Sequence, residues 1–177
     1  MKGKTKNRKR NKGFTLVEAL IYLAIIGGVI GAFVSFSLSV SQSRGKTYVV
    51  QEVQANSRLA LDTITQTIQS ASGINISSST FDIDPGILSL QMSSSTLNPT
   101  VISLSQDDGV LQMTEGVESP VFFTSNEVRI SNLQFIRLNQ GNNRQNIRVL
   151  MTIEYGADQD VNYMYSQSLQ TAVSLRK

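Results

Sequence analysis

NKGFTLVEALIYLAIIGG, residues 11–28, opens an apolar run directly behind a basic segment. From Phe14 to Val40 the only charged residue is Glu18. After it, the chain from Ala19 to Phe36 is almost wholly apolar, glycine or small. That is close to the ~20 residues a helix needs to cross a bilayer. A secretory signal peptide has a shorter apolar core of about 7–15 residues, followed by a small-residue cut site. Here a small-residue site, Ser39-Val40-Ser41, comes late, and a signal peptide gives no reason for Glu18. A carboxylate at the centre of a bilayer costs on the order of 3 kcal/mol on insertion scales. Near the interface the cost is smaller, and such residues usually have a partner. Cutting the chain after Gly13 would create one, the α-amino group of Phe14. In a stack of parallel helices, the amine of one subunit could meet Glu18 of its neighbour and set the axial register. The alternative is an interfacial Glu18 that snorkels to water.

Charge is concentrated in the segment before this run. Of the 16 basic residues, seven lie within residues 1–12, which contain no acid; the remainder carries nine against 13 acidic side chains. The net charge of +3 therefore belongs to a tail. Basic residues directly abutting an apolar span read as the cytoplasmic flank of a membrane helix. The acidic remainder argues against nucleic-acid binding. The chain has no Cys and no His. Disulfides, thiolate sites, Ser-His-Asp and Cys-His arrangements and HExxH zinc sites are all excluded by composition. No GxxxxGK[ST] or GxGxxG stretch offers a phosphate cradle. The expectation is a protein without enzymatic activity, cofactor or bound metal.

Lys12-Gly13-Phe14-Thr15-Leu16-Val17-Glu18, with its basic leader and the apolar helix that follows, resembles the class III signal of type IV prepilins and type II secretion pseudopilins. The resemblance implies cleavage between Gly13 and Phe14 by an aspartic prepilin peptidase on the cytoplasmic side. It also implies N-methylation of Phe14 and a subunit-assembly role for Glu18. The leader would be lost and the apolar segment kept. The implied partners are the prepilin peptidase, other pilin or pseudopilin subunits, the inner-membrane assembly platform and membrane lipid, with no nucleic acid. The implied location is a single pass through the inner (cytoplasmic) membrane, with the C-terminal domain outside, and then an assembled pilus or pseudopilus.

Beyond the span, Val49, Val53, Ala60, Ile64, Ile68 and Ala71 recur at helical spacing and predict one apolar stripe. Gln51, Gln54, Arg58 and Asp62 fall on the opposite face. Gly73 reads as a C-terminal cap. Gly27, Gly28, Gly31 and Gly45 put the continuity of the helix in question, each costing about 1 kcal/mol relative to Ala. After Gly73 the period changes to two. Ile87–Gln91 and Val101–Leu104 read as strands, and Asp107-Asp108-Gly109 as a turn leading into a strand at Val110–Met113. Glu127–Leu138 reads as one or two strands. Ile147–Tyr155 and Val161–Leu175 form a terminal antiparallel hairpin joined by a loop over Gly156–Asp160. Ser77–Thr80 and Ser93–Thr96 look like polar loop tips. The paired acids Asp82/Asp84, Asp107/Asp108 and Asp158/Asp160 sit beside turn residues, and turn chemistry is the simpler reading. The family resemblance adds calcium as an alternative at Asp158 and Asp160.

The expected fold is α+β, a long N-terminal helix packed on a C-terminal antiparallel sheet domain. The expected divisions are a cleaved leader (1–13), a transmembrane and assembly half of the helix (14–40), its amphipathic half (41–73) and an extracytoplasmic β-rich domain (74–177). Three stretches resemble J-type minor pseudopilins and W-type minor pilins: Asn56-Ser57-Arg58-Leu59-Ala60-Leu61, Ile130-Ser131-Asn132-Leu133-Gln134-Phe135 and Val173-Ser174-Leu175-Arg176. The resemblance points to a minor subunit that primes or tips a filament. The alternatives are a major subunit of the same machinery and a membrane-anchored extracytoplasmic binding domain that assembles with nothing.

Overall fold

One helix, α1 (Leu16–Ser70), runs without a break through Gly27, Gly28, Gly31 and Gly45. A break would orphan backbone groups on both sides of it, and in an apolar segment those groups find no water. That penalty exceeds the ~1 kcal/mol each glycine costs. The computed structural model describes residues 13–106, 108–138, 145–156 and 164–175. The chain divides into two compact units, Met1–Arg44 and Gly45–Lys177.

In the first unit every described residue from Gly13 to Ser39 is exposed. An 18-residue window of α1 reaches a mean hydropathy of 2.3, and none of it is buried. A helix that is apolar all round belongs in a protein core or in a bilayer. Among the described residues nothing covers it.

In the second unit α1 buries Val49, Val53, Asn56, Ser57, Ala60, Ile64 and Ile68. Apart from the adjacent Asn56 and Ser57 these are steps of three and four residues, so the predicted stripe is the buried face. Ala71 continues it just past the helix end. Gly73 is not a helix cap. It opens β1 (Gly73–Ile74), which pairs with β2 (Leu88–Gln91) in the register Gly73↔Gln91. The Ser72 amide already donates to the Gln91 carbonyl at 2.8 Å, so the sheet captures the chain as it leaves the helix. A Cβ at Gly73 would lie 2.8 Å from Gln91 Oε1. Gly73 therefore lies in a strand pair and not in a left-handed turn, and the atom a Cβ would meet is the movable end of a side chain.

β1 and β2 begin a five-stranded antiparallel sheet, completed in chain order by β3 (Thr100–Leu104), β4 (Leu111–Glu115) and β5 (Val121–Phe122). The predicted turn between β3 and β4 is present, with Gly109 at φ +63°, a conformation that favours glycine. Of the turn's two acids, Asp107 lies outside the described residues. A second sheet holds β6 (Val128–Leu138), β7 (Asn146–Tyr155) and β8 (Ser166–Ser174), again antiparallel and in chain order. The loop expected over Gly156–Asp160, the start of the last strand at Val161, and Asp158 and Asp160 fall largely or wholly outside the described residues.

Glu127–Leu138 holds one strand, not two. Its register shifts between Ile130 and Asn132. Val128 and Ile130 are buried, and so are Leu133 and Phe135, which have the opposite parity. An inserted residue, Ser131, lets both pairs face the core, which is what a β-bulge does.

The free edge of β6 is closed by other parts of the chain. Asp82 N–H donates to Phe135 O (3.0 Å), Gly86 N–H to Leu133 O (2.7 Å) and Ile130 N–H to Gly109 O (2.9 Å). Asp84 Oδ1 accepts from Leu133 N–H at 2.8 Å. A Cβ at Gly86 would meet Phe135 Cδ2 at 2.9 Å, so only glycine lets the two backbones approach this closely. Asp82 and Asp84 thus serve the turn and its docking. One buried cluster joins the α1 stripe to both sheets, with Ile64, Ile68, Leu88, Leu90, Leu133 and Phe135 among its members.

Of the two Ser/Thr tracts, the first is not a loop tip. Ser77 and Ser78 lie in a short 3₁₀ turn (Ile76–Ser78), and Ser79 Oγ donates to Asn75 O and accepts from Ser89 N–H. Thr80 bridges to Ile87. Ser93–Thr96 is exposed and lies between β2 and β3.

Candidate processing and assembly site

The start of α1 is built by Thr15. Its Oγ1 accepts from the Glu18 N–H at 3.3 Å, and its carbonyl accepts from Ala19 N–H at 3.1 Å. Helix amides in the first turn lack intrahelical partners, and an N-cap hydroxyl satisfies one of them. Thr15-x-x-Glu18 is the spacing of a capping box. Glu18 is the acidic residue of the first turn, where the partial positive charge of the helix end favours a carboxylate. The local fold therefore gives Glu18 one function by itself. Sequence reading had placed Glu18 without noticing Thr15, although the T-x-x-E spacing was there to be read.

Gly13 precedes the cap. A Cβ there would meet nothing within 4 Å, and its φ lies outside the range that disfavours side chains. The fold does not demand a glycine at this position. Phe14 is 70% exposed, and its ring centroid lies 5.5 Å from that of Tyr22 at an interplanar angle of 42°. Gly13, Phe14 and Glu18 all lie in the first unit and are all exposed.

A polar cluster in the second unit fixes the lower part of α1. Asn56 Nδ2 donates to Glu52 Oε1 (2.8 Å) and Asn56 Oδ1 accepts from Ser125 N–H (2.9 Å). Ser125 Oγ donates to Glu52 Oε1 at 2.9 Å. Asn56 is 7% exposed, so its amide needs these partners. Sequence reading missed this cluster, since its halves lie about 70 residues apart and no spacing rule links them. Asn56→Ala is expected to destabilise the second unit by about 1–3 kcal/mol, because the Ser125 amide loses its acceptor. Chemical denaturation of the detergent-solubilised chain measures it.

One turn earlier, Tyr48 OH donates to Glu127 Oε2 at 2.7 Å. That hydrogen bond, helped by desolvation and by the charges of Glu127 and Glu52, pushes the Tyr48 pKa from 10.0 up to about 12. The folded-state value lies above the unfolded one. The contact's contribution is therefore complete below pH 10 and is lost as pH rises through about 12. In an ultraviolet titration, Tyr48→Phe is expected to remove a late-ionising tyrosine. Glu127→Gln is expected to bring the Tyr48 transition back toward pH 10.

No curated protein and no solved structure matches the chain. Residues 8–34 match the family model described as the prokaryotic N-terminal methylation motif, the signal of type IV pilins and pseudopilins, and that stretch holds Gly13, Phe14 and Glu18.

Proposed function

We propose that this chain is a minor pilin-like subunit, cut after Gly13, N-methylated at Phe14 and assembled through Glu18 into a type IV pilus or a type II secretion pseudopilus. The observation that carries the reading is the methylation motif over residues 8–34, leading into an apolar helix that nothing among the described residues covers. The motif supports a pilin or pseudopilin-like subunit anchored in a membrane, handled by a prepilin peptidase and assembled with other pilins. Families that carry it are structural subunits, which fits a composition lacking His and Cys. The seven basic residues before the span support a single pass through the inner membrane with residues 74–177 outside. The minor role rests on the resemblance of Asn56–Leu61, Ile130–Phe135 and Val173–Arg176 to J-type and W-type subunits.

Two measurements test it. Intact mass of the membrane-extracted chain is expected to correspond to a protein beginning at methyl-Phe14; an uncut Met1 or a terminus near Ser41 overturns the reading. Quantitative peptide counting in sheared filaments is expected to find this chain as a small minority of the subunits. A filament made chiefly of this chain overturns the minor role and leaves the major one.

A further inference from the structure

We draw no further inference here: the strongest candidate, the exposed apolar residues Val117, Val121 and Phe122 at the β5 edge of the first sheet, carries nothing because nothing among the described residues shows what covers them.

Discussion

Replacing Gly13 with a bulky side chain, Gly13→Leu, is expected to leave the precursor uncut in the membrane, with mature protein reduced at least about tenfold. Each 1.36 kcal/mol lost from a transition state is tenfold in rate. A residue beside the scissile bond has little slack for added volume, because reacting groups must sit within about 3–3.5 Å. The fold supplies an internal control. A Cβ at Gly13 meets nothing within 4 Å, so the substitution leaves α1 and both sheets unstrained. A processing defect can then be assigned to recognition by the peptidase and not to misfolding. Intact mass and gel mobility read the cut, and far-UV circular dichroism checks the fold. Wild-type yield of mature chain from Gly13→Leu would overturn the assignment of the cleavage site. The consequence reaches further than the leader. Without the cut, the nitrogen of Phe14 stays in a peptide bond and carries no charge, so the proposed partner of Glu18 never forms.

How much of this was legible follows from what each feature depends on. The buried face of α1 depends on a local period, and Val49, Val53, Ala60, Ile64 and Ile68 declared it. The terminal strands declared themselves by alternation, and β7 alternates between buried and half-buried along most of its length. β6 was ambiguous for a physical reason: its bulge at Ser131 shifts the apolar parity from even to odd, which a period-two reading takes as a strand end. Gly73 was misread because a glycine after a helix usually caps it. Here the chain passes straight into β1, which pairs with Gln91 nearly twenty residues on. The Glu52–Asn56–Ser125 cluster and the cover over β6 depend on tertiary contacts that no spacing announces. At the candidate site the situation reverses. Gly13, Phe14 and Glu18 stand within a few residues of one another, so sequence alone could name them. Thr15 was passed over because attention fell on charge and not on capping.

Glu18→Gln is expected to insert and be cut normally, yet to assemble poorly. The structure makes this substitution unusually clean. Thr15 keeps its hydroxyl on the amide of residue 18, and glutamine serves at the same capping-box position as glutamate. The helix start therefore loses only its charge term, about 0.3–1 kcal/mol at an exposed helix end. Insertion gains slightly, because a carboxylate is removed from the mouth of the span. On the proposed pairing the large loss falls between subunits, where the ammonium of a neighbouring Phe14 is left without its partner. Removing one member of a desolvated pair costs about 3–5 kcal/mol, and the lower end or less applies near the interface, where water is close. Even 1.4 kcal/mol is tenfold in an equilibrium. Thr15→Ala separates the two contributions, since it removes the cap, about 1 kcal/mol, and keeps the carboxylate. If the cap is what matters, Thr15→Ala is the worse variant; if the charge pair matters, Glu18→Gln is. The measurement compares processed chain with the amount recovered bound to other pilin-like subunits from detergent-extracted membranes. Pull-down is preferred to filament counts because a subunit at a filament tip has no neighbour ahead of it, so its defect in filaments is partial. Normal recovery of partners by Glu18→Gln would show that the carboxylate sits at the interface only to cap its own helix and reach water.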